Sequence, residues 1–251
     1  MKTAIITGAT SGFGRAIAFR LAGLGYQLII TGRRLDRLDE MTEQLRSQYS
    51  INVLSLCFDV RDNNECTKAV QSIPTTFQPI DLLINNAGLA AGALPFDESD
   101  LADYDQMIDT NVKGLLYMTK LIVPGMIEQK KGHIINISSI AGIEVYPNGS
   151  VYCASKHAVN AITKGLRIDL LKHGIKVSSV SPGMAETEFS LVRYHGDAEK
   201  AKAVYNGLTP LNAEDIADTV EFIITRPAHV SINDIQINPA QQANTYISHR
   251  N

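Results

Sequence analysis

Seven short runs of β-forming residues, each spaced from the next by a longer stretch, leave this chain few architectures to fold into. The runs cover residues 3–7, 27–31, 52–58, 81–85, 133–138, 176–181 and 234–238. Several are almost continuously apolar, as in Leu28-Ile29-Ile30, which suits parallel strands buried on both faces. Between them the apolar spacing changes to that of a helix: Phe13, Ile17, Leu21 and Leu24 share one stripe, and residues 35–45 and 151–171 follow the same rhythm. Alternating β and α elements with right-handed crossovers predict an α/β doubly wound parallel sheet of about seven strands flanked by helices, of the Rossmann type. A length of 251 residues fits one large domain, and no linker, low-complexity tract or repeat divides it. We therefore read 1–251 as a single domain, with a substrate loop near 184–208 and a C-terminal tail from 239.

Composition narrows the function classes. A net charge of −3 argues against a nucleic-acid backbone binder, which needs a strongly basic face. Cys57, Cys66 and Cys153 lack CxxC spacing, and the six histidines lack metal-ligand spacing, so neither a disulfide framework nor a metal is expected. The opening apolar run breaks at Gly8 and reads as a first strand rather than a leader, which predicts a cytoplasmic protein. No stretch reaches the roughly 20 apolar residues of a membrane span.

In such sheets ligands lie beyond the carboxyl ends of the strands. After the first run comes TGATSGFG, with Gly8, Gly12 and Gly14 available for a tight turn, close approach to a pyrophosphate and helix packing, and Thr10, Ser11 and Phe13 between them. The helix that follows offers free N–H groups to an anion. At the tip of the second run a dinucleotide fold usually carries an acid for the adenosine ribose; here Arg33 and Arg34 stand instead. A guanidinium can clamp a 2′-phosphate with two hydrogen bonds, so the pair favours NADP over NAD, Arg33 being the nearer to the strand end. Asp36 and Asp39 are the acids in line to neutralise these arginines. After the third run Asp59 and Val60 stand where an adenine edge would lie, and after the fourth come Asn85, Asn86 and two small residues, amides able to tie neighbouring loops together.

TGATSGFG, NNAG (85–88), SSIAG, VYCASK thirteen positions on, and SPGMAET, all in register along the chain, resemble the short-chain dehydrogenase/reductase family. Tyr152 and Lys156 form an i,i+4 pair on one helix face. A phenol is a poor base at neutral pH, but a nearby ammonium and an oxidised nicotinamide would draw its pKa down. Tyr152 then donates or accepts the proton at the reacting oxygen. The resemblance implies further roles. Lys156 would hold the nicotinamide ribose, Ser139 the substrate oxygen, and Asn111 a water in the relay. Pro182, Gly183 and Thr187 would border the nicotinamide and its phosphate. The small Ala154 and Ser155 are expected beside the cofactor, with Cys153 facing away.

The stretch TEFSLVRYHGD, the TGRR tip and the closing PAQQANTY are similar to the NADP-dependent 3-hydroxy acid dehydrogenase subgroup, acting on serine, L-allo-threonine and related acids. A small carboxylate substrate needs a cation, and Arg193 is the candidate; its other possible partners are Glu186, Glu188 and Asp197. Ser11 stands where many NADP-preferring relatives carry Lys or Arg, so the NADP reading rests on Arg33 and Arg34. A broad NADPH-dependent carbonyl reductase is the alternative. A catalytically silent nucleotide sensor would be expected to lack Tyr152, Lys156 or Ser139, and all three are present. The resemblance also implies a homotetramer, with the helices of 103–128 and 151–173 pairing between subunits and the tail reaching a neighbour.

Overall fold

In the computed structural model, which describes residues 1–251, seven parallel strands form one sheet in the order β3-β2-β1-β4-β5-β6-β7. They are β1 (Thr3–Ile6), β2 (Gln27–Gly32), β3 (Val53–Cys57), β4 (Leu82–Asn85), β5 (Gly132–Ile137), β6 (Ile175–Pro182) and β7 (Asp234–Ile237). All seven expected runs are strands, with ends shifted by a residue or so. The helices are α1 (Gly12–Gly23), α2 (Leu35–Tyr49), α3 (Asn63–Gln71), α4 (Leu101–Ile108), α5 (Leu115–Glu128), α6 (Ser150–Leu170), α7 (Glu188–Arg193), α8 (Ala198–Ala203) and α9 (Ala213–Ile224).

Strands β1 and β4 are fully buried along their length because helices cover both faces. Ile6, Leu28, Ile30 and Ile84 pack with α1, α2 and α9 on one side. Ile5, Ile29, Leu83 and Ile134 pack against apolar residues of α3 and α5 on the other. Alternate residues of one strand thus feed two cores, which is why the runs had to be apolar throughout rather than every second residue. Chain order reverses between β1 and β4, and the crevice at this switch point is the place such a sheet presents to ligands.

One feature departs from the simple reading. Residues 101–128 form no uniform α-helix: a π turn, Asp109–Gly114, separates α4 from α5 and contains Asn111. Such turns widen the helix locally and recur at functional sites. The tail from 239 packs against the loops around the site on its own chain. Gln242 is buried and accepts from Met184 N–H (2.8 Å), while Thr245 donates to Glu144 through both its N–H and its hydroxyl (3.0 and 2.8 Å). No helix is long and apolar enough to cross a membrane.

Candidate active site

The loops after β1 and β4 are locked to one another before any ligand is considered. Asn86 Nδ2 donates to the carbonyls of Thr7 and Gly8 (2.9 and 3.0 Å), and Asn85 Nδ2 donates to Thr119 and Asn136 (both 2.9 Å). Gly8 has φ +65°, and a Cβ there would lie 2.9 Å from Ala87 Cα, so only glycine fits. Gly14 faces Asn86 and the Gly8 carbonyl with no room for a methyl, and so packs beneath the loop instead of lining the groove. The groove, about 280 Å³, opens above: Gly8, Thr10, Ser11, Gly12 and Phe13 form its floor, Arg33 and Arg34 one end, and Asp59, Val60, Asn86, Thr187 and Lys156 its sides.

The charged end is organised differently from the expectation. Arg34 is fastened to the glycine loop, donating to Thr10 Oγ1 (3.2 and 2.8 Å) and Ser11 Oγ (2.9 Å). Its remaining nitrogen meets Glu188 (2.9 Å), whose other oxygen accepts from Arg37 (2.6 Å). Neither Asp36 nor Asp39 pairs with these arginines. Arg33 is freer, 54% exposed and 3.6 Å from Asp59, whose carboxylate is held closer by Arg61 (2.6 Å). Burial pushes the Glu188 carboxyl up, but its hydrogen bonds with Arg34 and Arg37 bring it below the ordinary range. Arg37 and Glu188 were not anticipated; they lie 151 residues apart, and nothing local marks either as part of a nucleotide end.

Tyr152 and Lys156 project from the first turns of α6, both nearly fully buried. The Lys156 ammonium donates to Ile137 O (3.0 Å) and lies 5.9 Å from the Tyr152 ring centre; burial lowers its pKa to about 8. Burial also pushes the Tyr152 phenol well above its usual range, aided by Tyr146 and opposed by Ser139 and Arg193. The Lys156 ammonium therefore does not by itself draw the phenol down. Ser139, ahead of a 3-10 turn after β5, donates to Pro182 O (3.4 Å) and accepts from Ala141 N–H (3.1 Å). Asn111 lines neither cavity. Its Nδ2 donates to Leu89 O (2.8 Å) and Ser155 Oγ (3.0 Å), and its Oδ1 accepts from Leu89 N–H (2.8 Å). In VYCASK, Cys153 is buried beside Met107 and lies outside the groove, but Ala154 and Ser155, expected beside the cofactor, do not line it: Ala154 is exposed and Ser155 meets Asn111.

A second cavity of about 220 Å³ adjoins the groove, sharing Phe13, Ser138, Thr187 and Phe189 with it. Ser139, Tyr152, Pro182, Gly183 and Arg193 line this one. Arg193 donates to Tyr146 OH (3.1 Å) and to Gly92 O (3.4 Å), and pairs with none of Glu186, Glu188 or Asp197. Tyr146, Phe189, Gln242 and Thr245 also line it and were missed as site residues: Tyr146 comes from a loop with no motif, and the others lie in stretches read only for their resemblance. As a set, the residues suit a phosphorylated dinucleotide: a cradle that side chains would fill, guanidiniums where an acid would repel phosphate, and a buried ammonium with two N–H groups to spare.

A family model described as short chain dehydrogenase matches residues 2–196. Sulfoacetaldehyde reductase 2 of Chromohalobacter salexigens is 46% identical over 240 residues, 95% of this chain and 94% of its own length. The NADP-dependent 3-hydroxy acid dehydrogenase of Salmonella typhi is 43% identical over 240 residues, 95% of each. A solved structure, the closed form of serine dehydrogenase complexed with NADP+, superposes with a TM-score of 0.93 at 40% identity, covering 99% of this chain and all of the other.

Proposed function

The chain belongs to the short chain dehydrogenase family, and on that premise we propose that it is an NADP-dependent dehydrogenase of short 3-hydroxy acids such as serine, L-allo-threonine or 3-hydroxypropionate. One observation carries the reading: Tyr152 and Ser139 share a small cavity with Arg193, a cation aimed at the substrate end and paired with no carboxylate. When bound, NADP supplies the hydride acceptor, its positive ring adding the charge that the buried phenol lacks. Tyr152 Oη takes the hydroxyl proton in oxidation and returns it in reduction; Ser139 Oγ steadies the same oxygen. Lys156 offers its two spare donors to the ribose, and Asn111 holds the Leu89 backbone beside it. Arg33 and Arg34 hold the 2′-phosphate, Gly8, Thr10, Ser11, Gly12, Phe13 and Asn86 the pyrophosphate side, with Gly14 packed beneath them, and Asp59 and Val60 the adenine. Pro182, Gly183 and Thr187 border the nicotinamide.

Following NADPH formation by absorbance with serine and 3-hydroxypropionate tests the reading; turnover of neutral carbonyls alone would favour the broad carbonyl reductase. Reduction of sulfoacetaldehyde is the second reading, since Arg193 can donate to a sulfonate as readily as to a carboxylate and relatives carry that name. Arg193→Ala should raise KM for hydroxy acids roughly 10- to 100-fold, the worth of a hydrogen bond to a charged group. The KM for an uncharged carbonyl should stay within about threefold; equal losses on both substrates would refute the clamp. The reading extends to a cytoplasmic homotetramer, supported by the exposed Leu116, Ile168 and Leu171 on the outer faces and ends of α5 and α6. Light scattering should then give four times the 27.4 kDa chain mass.

A further inference from the structure

The helix α7 is short, yet its two ends reach different parts of the site. Its first residue, Glu188, bridges Arg34 and Arg37, and its last, Arg193, lines the substrate cavity about 7.5 Å further along the axis. Between them Phe189 lies against Tyr152, ring centres 5.7 Å apart, while the preceding Thr187 caps the helix and covers Gly12. The carboxylate of Glu188 thus stands at the charged end of the groove, between Arg34, which lines it, and Arg37, which lies just outside its lining. A 2′-phosphate needs those same donors, and a carboxylate beside it repels it. NAD carries only a hydroxyl at that position and has no quarrel with Glu188.

We propose that Glu188 is the residue that sets the margin of NADP over NAD, by competing with the 2′-phosphate for Arg34 and Arg37 while tying α7 across the groove. This deepens the proposed function and rests on it. Arg37 becomes a third cation for the phosphate, alongside Arg33 and Arg34. Glu188 is a positioning residue as well as a specificity determinant: its ion pairs hold Arg34 against the glycine loop and hold α7 closed, at the expense of NADP affinity.

The test is a fluorescence titration of the full-length protein with NADP+ and with NAD+, without substrate. Glu188→Gln should tighten NADP+ binding roughly 3- to 10-fold, as expected for removing one partly screened like charge. NAD+ binding should move by less than about twofold, because no phosphate charge is involved. Arg37→Gln should weaken NADP+ by a similar factor and leave NAD+ unchanged, and it answers the question even if the first variant folds poorly. With Glu188→Gln, KM for the hydroxy acid should rise as α7 loosens. Weaker NADP+ binding in Glu188→Gln, or equal shifts for the two nucleotides, would overturn the inference alone. A wild-type protein that binds neither nucleotide would overturn the proposed function, and this inference with it.

Discussion

Tyr152→Phe should lower turnover by roughly 10³-fold or more, the scale expected for removing a positioned acid–base group. The NADP dissociation constant should stay within about twofold, because the hydroxyl lost is the one aimed at the substrate oxygen. The change is nearly isosteric. Tyr152 is only 8% exposed, and its ring packs against Phe189 and the cluster of Leu89, Met107 and Cys153, contacts that phenylalanine keeps. Stability should therefore move by no more than about 1 kcal/mol, and a melting curve would show that lost activity is not lost fold. The direction of the phenol's pKa adds a pH signature. Burial holds Tyr152 protonated through neutral pH, so carbonyl reduction, which needs the acid, should be flat across this range. Alcohol oxidation needs the phenolate and should climb with pH. Both rates are read in steady state from NADPH absorbance. A variant retaining more than about a tenth of wild-type turnover would remove Tyr152 from the chemistry, since general acid–base groups supply far more than that.

How much of this was readable in advance depends on how local the cause is. The central strands announce themselves because burial on both faces demands an apolar run, and that demand acts on at least four adjacent residues. The glycine loop is readable for the same reason: the φ of Gly8 and the tight approach of Ala87 leave one residue type possible. Arg34 was visible at the strand tip, but its partner was not, because Glu188 arrives from 154 positions away. Separations of 47 and 101 positions likewise hid Tyr146 from Arg193 and Thr245 from Glu144. Ala154 and Ser155 were misplaced for a subtler reason. The i,i+4 spacing says which residues share a helix face, but not which neighbour each other face meets; for Ser155 that neighbour is Asn111, 44 positions away, and Ala154 meets solvent. Asn111 is a mediocre helix former, but the π turn that holds it leaves no pattern in composition.

Lys156→Met should nearly abolish turnover, by roughly 10²-fold or more, while making the cofactor-free protein more stable. The ammonium is buried with a single hydrogen bond, to Ile137 O, and burial lowers its pKa from 10.5 to about 8. A base whose native pKa lies below its unfolded value opposes folding: the cost is present in full below about pH 8 and is relieved as pH rises from 8 toward 10.5, where only the unfolded chain still holds the proton. A depression of that size corresponds to about 3 kcal/mol. Losing the bond to Ile137 returns about 1 kcal/mol of it, so methionine should gain about 2 kcal/mol, or roughly 5 °C in melting temperature for a domain of this length. The gap should shrink steadily between pH 8 and 10, measured as the difference in melting temperature of the two proteins. Adding saturating NADP should narrow or reverse it at pH 7, because the wild-type ammonium then has ribose hydroxyls to hold and the methionine has nothing to offer them. An equal ligand-induced rise in both proteins would mean that Lys156 does not touch the cofactor. A methionine variant less stable than wild type at pH 7 would mean that the buried ammonium is satisfied by the protein alone, and the expense of burying it would need another explanation.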